Sequence, residues 1–543
     1  TTFSKERRPI VMPKSNEANW DQYFAIPNPG LESYFGRVRR GNSDEYRTTF
    51  AKGVKLEKVL DQWKPTIDTL EQRWPTLLDF ENDLAKKVGP LSIQAPLKDR
   101  LKDIDSYYES ILLDSEPVHA SAEAAVLREW GTLRGMQLRS QQRVVDVMKK
   151  STNSGSPYFT KRRAVVEKTI PVELDIKEPE VVQRLATSTW FSAAVLGWRG
   201  QEGGPTDEDV KQRVVWMFPF GVNVRELQVY QPAIELAQRS NLVPAWVGME
   251  AVDRAVTKLF DTKGKNDLVI CTDFEKFDQH FNSSLQDSGQ RMLSRLLNTS
   301  ASSREWLTNV YPIKYMIPLA YDYGKIRRGR HGMGSGSGGT NFDETLVHRA
   351  LQYECAQSKN QKLNPNSMCL GDDGILSFPG ITEEDVMRTY PTHGLAMNAG
   401  KQTSSTQDCT YLRRWHHVNY RLDGVCVGVY STYRALGRLL EQERFYDPEV
   451  WGPKMVALRQ LSIIENCKYH PLRNEFAEFC MARDKYRLGI DIPGFLDNIE
   501  SIAEKSIELM PDFLGYTKSL GKSERAYGIN NWWIVRYLRS KSK

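Results

Sequence analysis

At 543 residues with 40% apolar side chains, the chain is long enough for several subdomains and a large core, with the apolar share of an ordinary soluble protein. Its 74 basic and 68 acidic residues leave a net charge of +6, too modest to argue for a nucleic-acid partner on its own. No stretch approaches about eighteen uninterrupted apolar residues, and the N-terminal TTFSKERRPIVMPK lacks the apolar core of a signal peptide, which excludes a membrane-spanning or secreted reading and implies a cytosolic life.

Residues 1 to about 55 are rich in Pro, Asn and Arg with isolated aromatics, and read as an extended arm lying on other surfaces. From about 56 to 150, LEKVLDQWKPTIDTLEQRW and AEAAVLREWGTLRGMQLRSQQRVVDVMKK space their apolar residues helically, so this part is largely α. STNSGSPY is a loop, and after the Gly-rich RGQEGGPTDED at 199–209 the β-branched VVWMF reads as a strand. LVICTDFEKFDQHF is an apolar run that ends in Asp273 and Asp278, and the Gly-rich GMGSGSGGTNFDE at 332–344 continues as a helix from Thr340. CLGDDGILSF reads as two strands joined by a tight turn, because Gly371 and Gly374 tolerate the backbone angles it requires. Residues 425–543 return to helical patterning in YRALGRLLEQERF, EVWGPKMVALRQLSII and NEFAEFCMARDKYRL, and no internal repeat is visible. The seven cysteines are odd in number and include no C-x2-C pair, so they read as reduced core residues and not as a zinc site or disulfide framework.

The chemistry lies in two acidic clusters, Asp273 with Asp278 and Asp372 with Asp373. If the apolar runs that carry them are neighbouring strands, three or four carboxylates converge at one sheet edge. That much negative charge is costly unless it holds cations, and two hard divalent ions about 3.5 to 4 Å apart are the usual device for in-line nucleotidyl transfer. Basic clusters at Lys161-Arg162-Arg163, Arg327-Arg328-Gly329-Arg330, Arg413-Arg414 and the terminal RYLRSKSK suit a channel that tracks phosphates around such a centre.

The ordered set resembles the viral RNA-dependent RNA polymerases. Asp273-x4-Asp278 resembles their motif A, Ser335-Gly336-x3-Thr340 motif B, Gly371-Asp372-Asp373 motif C, HGLAMNAGK ending at Lys401 motif D, and TYLRRW at 410–415 motif E. Upstream, TNSGSPY at 152–158 is similar to motif G and KQRVVWMFP at 211–219 to motif F. The wording RVVWMFPFGV and GSGSGGTNF most resembles the picobirnavirus polymerases, with the partitivirus enzymes as close relatives. The resemblance implies an α+β right-hand fold with an antiparallel palm sheet. The expected divisions are an N-terminal arm at 1–55, fingers at 56–260 and 296–330, palm at 261–295 and 331–424, and thumb with C-terminal segment at 425–543. It also implies two Mg²⁺ or Mn²⁺ ions held by Asp273 and Asp372 with Asp373 auxiliary, an RNA template and product, ribonucleoside triphosphates, a viral capsid protein as partner and no membrane. The setting it implies is the virion interior and host cytoplasm, for replication and transcription of a double-stranded RNA genome.

By the same resemblance Lys211 and Arg213 hold the triphosphate, Lys401 protonates the leaving pyrophosphate, Asp278 senses the ribose 2′-hydroxyl, and Arg413 and Arg414 grip the primer strand. The motif B glycines leave the backbone around Ser335, Gly336 and Thr340 free to flex and to approach template and nucleotide. The family commonly has Asn four residues after the motif B Thr, where this chain has Glu344, with Asn341 beside Thr340 instead, so the hydrogen bond that positions Asp278 must come from Asn341 or from elsewhere. Two other readings stand beside this one. A reverse transcriptase shares the two-carboxylate palm but resembles Tyr-x-Asp-Asp at motif C and carries an aromatic at the sugar-sensing position, where this chain has Gly371 and Asp278. A non-catalytic RNA-binding or packaging protein on a decayed scaffold would not need Asp273, Asp372 and Asp373 intact. Primer-independent initiation, also implied, needs support for the first nucleotide. Candidates are the segment 416–433, read as a hairpin around Asp423-Gly424, and the aromatic C-terminus, with Tyr420, Trp532 or Trp533 stacking on a base; the same rings serve equally as thumb core.

Overall fold

The computed structural model describes residues 17–398, 403–509 and 528–542. Helix α1 (Pro29–Arg40) lies within the stretch read as an extended arm. Its signals are local: Asn28 accepts the Leu31 amide at 3.2 Å, Pro29 takes the first helical position, and Leu31, Phe35 and Val38 line the buried face. Trp20, Tyr23 and Phe24, ahead of it, pack with Ala193, Val195, Ala320 and Ile326, while Tyr46 and Arg47, behind it, pair with Gln442 and Glu441. The arm thereby joins parts of the chain hundreds of residues apart.

Helices α2 (Leu56–Ile67) and α3 (Pro75–Ala85) form where the apolar spacing predicts them. They are not packed with the segment that follows them, however: Val59, Trp63, Ile67 and Leu77 share one core with Leu436, Leu458, Phe476 and Ile534. Trp63 Nε1 donates to Thr432 Oγ1 at 2.8 Å, and the fully buried Glu81 accepts the Thr432 amide at 3.1 Å and faces His470 Nε2 at 3.1 Å. An apolar stripe says that a helix must be covered and not what covers it.

Further on, β1 (Ala194–Gln201) and β2 (Lys211–Met217) pair antiparallel, and α4 (Phe220–Arg239) leads on to α5 (Met249–Thr262) and the fully buried β3 (Val269–Thr272). β4 (Leu319–Asp322) and β5 (Lys325–Arg327) extend the first sheet to the order β5-β4-β1-β2. After α6 (Thr340–Gln357) come β6 (Met368–Leu370), β7 (Asp373–Leu376) and β8 (Thr403–Ser405), which with β3 make a second, wholly antiparallel sheet in the order β6-β7-β3-β8. Helix α6 is buried along nearly its whole length under this sheet, with Gln352 Nε2 donating to the Met368 carbonyl at 2.9 Å. Strands β9 (Asp408–Tyr411), β10 (Arg414–His417) and β11 (Val429–Tyr430) form a third sheet, and α7 (Thr432–Leu440), α8 (Pro448–Glu465) and α9 (Arg473–Met481) complete the helical end. In the expected hairpin, Asp423 and Gly424 take positive φ, 50° and 82°; the bridge Leu422 to Val425 closes its tip, and β10 and β11 pair at its base, Arg414 opposite Tyr430 and Trp415 opposite Val429. All seven cysteines are buried and none is in a disulfide. Among the described residues no helix is long and apolar enough to cross a membrane.

Candidate active site

The two apolar runs with acidic ends are adjacent strands. Thr272 faces Gly374 and Cys271 faces Ile375 across β3 and β7, a register that sets Asp273, just past the end of β3, opposite Asp373. Leu370 pairs with Asp373, so Gly371 and Asp372 alone form the turn, Gly371 at φ +59°. Asp372 keeps solvent contact at the tip. Asp273 Oδ2 accepts from Asn398 Nδ2 at 2.8 Å, and the Asn398 amide donates to the Asp273 carbonyl at 3.1 Å. Nothing in the sequence had singled out Asn398, which lies within HGLAMNAGK. Asp373 Oδ2 accepts the Leu412 amide at 2.8 Å, tying the turn to the β9–β10 hairpin.

The electrostatics follow the crowding. Burial pushes the Asp373 carboxyl up to about 7, with the charge of Asp372 adding to it. Burial also raises Asp372, joined by Asp278 and offset by Arg213 and Arg413. Because Asp373 in the folded chain titrates above its ordinary 3.8, its ionised form destabilises the fold, increasingly as pH rises from about 4 to about 7 and constantly above that. In EDTA, Asp373→Asn should therefore melt above the wild type, and by more at pH 8 than at pH 5. An equal difference at both pH values would refute this.

The Gly-rich loop is pinned rather than free. Ser335 Oγ accepts the Trp216 amide at 3.1 Å, and a Cβ on Gly336 would lie 1.7 Å from the Trp216 carbonyl oxygen. Asn223 Nδ2 donates to the Gly336 carbonyl at 3.3 Å, and the buried Glu226 accepts from the Ser337 hydroxyl and, at 3.1 Å, from the Gly338 amide. Thr340 Oγ1 turns back to the Gly334 carbonyl at 3.1 Å as α6 begins. The glycines thus serve close approach to β2 and α4. Gly336→Ala should push the loop off β2, an overpacking cost of about 1–3 kcal/mol, and lower the RNA extension rate; an unchanged rate would show that the loop has room. On β2 itself, Lys211 and Arg213 alternate onto one face and are both exposed.

A family model described as viral RNA-dependent RNA polymerase matches residues 101–422. The chain belongs to that family. It is 60% identical over 527 residues to a potential RNA-dependent RNA polymerase of human picobirnavirus (strain Human/Thailand/Hy005102/-), which covers 96% of this chain and 98% of the relative. The crystal structure of a human picobirnavirus RNA-dependent RNA polymerase superposes with a TM-score of 0.92 at 60% identity, covering 96% of this chain and 99% of that one. The insertion-loop deletion mutant of such an enzyme gives 0.90 at 58% identity over the same shares. The right-hand fold expected from the motifs is the fold of this polymerase.

Other site residues of the polymerase divide by their partners. Arg414 forms a two-pronged ion pair with Asp253 at 2.8 and 3.0 Å and is 11% exposed. Of the two arginines only Arg413, at φ +60° in the Leu412-Arg413 turn and 46% exposed, is presented outward, 3.6 Å from Glu202. Arg327, Arg328 and Arg330, expected along a phosphate channel, are instead mostly buried against Asp105, Glu180 and Glu178. Asn341 accepts from Trp246 Nε1 at 2.7 Å through Oδ1, while burial and then the nearby charge of Asp278 push the Glu344 carboxyl well above the usual carboxylate range. Tyr420, whose hydroxyl donates to the Tyr469 carbonyl at 2.7 Å, and Trp533 both pack on the core shared with α2 and α3, which favours the packing alternative for these rings. Lys401 lies outside the described residues. Among the described residues, no three carboxylate, imidazole or thiol side chains are gathered closely enough to hold a metal ion. The donor chemistry nevertheless fits hard divalent cations, since Asp273 and Asp372 offer carboxylate oxygens at one sheet edge and the ionised form of Asp372 is disfavoured there without a counter-charge.

Proposed function

We propose that this polymerase copies RNA from an RNA template by two-metal nucleotidyl transfer, starts without a primer, and serves replication and transcription of a double-stranded RNA virus genome. The observation that carries this reading is the register of β3 on β7, which sets Asp273 opposite Asp373 with Asp372 on the adjoining two-residue turn. Two Mg²⁺ or Mn²⁺ ions at Asp273 and Asp372 would lower the pKa of the attacking 3′-hydroxyl and grip the triphosphate. Asn398 holds Asp273 in place from one side, while Asp373 anchors the turn through the Leu412 amide and serves as an auxiliary ligand. Lys211 and Arg213 supply cationic charge to the triphosphate, and Arg213 already acts on Asp372. Ser335, Gly336 and Thr340 shape the surface under the nascent base pair, Asn341 flanks it, Asp278 reads the ribose, and Arg413 faces the product strand. Lys401 is the proposed acid for pyrophosphate. Unprimed starts, the capsid partner and a life in the virion interior and host cytoplasm rest on family membership.

The test is direct. Purified protein with an RNA template, ribonucleotides and Mg²⁺ or Mn²⁺ should yield labelled product of template length, with and without a primer, and EDTA should abolish it. Deoxynucleotide-only synthesis, or none under any divalent ion, would overturn the reading.

A further inference from the structure

Gly371, the first residue of the acidic turn, is held at both of its polar backbone atoms by helix α6. Its amide donates to Thr345 Oγ1 at 2.9 Å, and its carbonyl lies 2.8 Å from His348 Nδ1. Thr345 and His348 stand three residues apart and so share one face of α6. A carbonyl can only accept, so Nδ1 of His348 carries a proton and donates it. Nε2 is buried with no hydrogen-bond partner among the described residues, and an N–H there would be left unsatisfied, so the imidazole is the neutral Nδ1–H form.

Packing fixes the plane of this ring. His348 is fully buried, with Phe274, Phe277 and Tyr390 at ring-centre distances of 5.5, 6.0 and 5.8 Å. Its other edge meets Gly374, where a Cβ would lie 2.8 Å from Cε1 and 2.9 Å from Nε2. The imidazole thus spans the turn from the Gly371 carbonyl to the Gly374 backbone, and what its hydrogen bond holds is the peptide between Gly371 and Asp372. Gly371 has φ +59° while Asp372 is not at positive φ, which with the pairing of Leu370 and Asp373 makes the turn type II′. Rotating the central peptide over would convert it to type I′, and glycine at the first position allows either form. That rotation would reverse the Gly371 carbonyl and re-aim Asp372, because the same peptide sets the φ of Asp372.

We propose that His348 is a positioning residue for RNA synthesis: its Nδ1–H locks the Gly371–Asp372 peptide in the orientation that turns the Asp372 carboxylate into the site, a role that rests on the proposed place of Asp372 in the chemistry. His348→Phe and His348→Leu remove the donor and keep bulk, so at least one should fold, whereas His348→Asn puts an amide N–H where Nδ1–H stands. Thermal melting in EDTA identifies the folded variants, and extension of an RNA primer gives kcat and KM for the ribonucleotide. Hydrogen exchange of residues 368–376 in EDTA reports on the turn without metal or turnover. The donor-free variants should lose about tenfold to a hundredfold in kcat, with KM within about threefold of wild type. Their 368–376 segment should exchange about tenfold faster or more. His348→Asn should stay within about fivefold of wild type in kcat and exchange as the wild type does. An unchanged kcat in a folded donor-free variant, beside a collapsed one in Asp372→Asn, would overturn the role of His348 and leave that of Asp372 standing. Full activity in Asp372→Asn would overturn both. A His348→Asn variant as impaired as His348→Phe, or a fall in kcat without faster exchange, would also overturn the role of His348, because the donated bond would then not be what matters.

Discussion

Asp372→Asn should lose RNA synthesis by about three orders of magnitude or more while folding as the wild type does. Asp372 stands on the two-residue turn between β6 and β7, in contact with solvent, and among protein neighbours its charge is opposed by burial and by Asp278. The fold therefore loses nothing by its neutralisation and is relieved of like-charge repulsion, whereas the proposed centre loses one of its two principal oxygen donors. The measurements are extension of a labelled RNA primer, thermal melting, and RNA binding, and only the first should change strongly. Activity within tenfold of wild type would remove Asp372 from the chemistry. A melting point that falls by several degrees would instead assign it a structural role.

The second large effect should come from a residue that touches no substrate. Asp343 and Lys314 form an ion pair at 2.9 Å in which both side chains are fully buried. Tyr230 and Tyr315 donate to the two oxygens of Asp343 at 2.8 and 2.7 Å, and Lys314 Nζ donates to the Tyr311 carbonyl at 2.8 Å and lies 3.8 Å from the Tyr311 ring centre. Asp343→Ala would take from a buried ammonium its ion-pair partner, and breaking a buried pair in this way costs about 3–5 kcal/mol. Against a total stability of about 5–15 kcal/mol that is a severe loss. Asp343 lies in the first turn of α6, and the Gly334 amide donates to the Lys314 carbonyl at 3.0 Å, so the Gly-rich loop should loosen as well. Denaturant melts of Asp343→Ala, Lys314→Met and the double variant test this. The double variant should be less destabilised than the sum of the singles, and a single-variant loss under about 1 kcal/mol would mean that the tyrosines hold this site without the pair.

What the sequence by itself determined is what is encoded within a few residues. The positive φ of Gly371 makes the two-residue turn, the apolar runs on either side of the acidic clusters make β3, β6 and β7, and the helix begins at Thr340 where the glycines end. Because the strand runs are short, apolar and acid-tipped, their pairing into one sheet and the α+β class could be anticipated, as could the burial of all seven cysteines. What only the tertiary structure decided is which distant partner each polar or apolar face meets. Arg413 and Arg414 are adjacent and chemically identical, yet Asp253, 161 residues away, takes one inward while the turn geometry leaves the other out. The arginines at 327, 328 and 330 look like a phosphate track until acids at 105, 180 and 178 are folded against them. Helices α2 and α3 carry ordinary apolar stripes, and their cover arrives with residues 432–481. Asn398 on Asp273 is a contact across 125 residues. Backbone preference is a local property of the residue, but burial and charge pairing are properties of the neighbour, and chain closure over such distances leaves no trace in the spacing of one sequence.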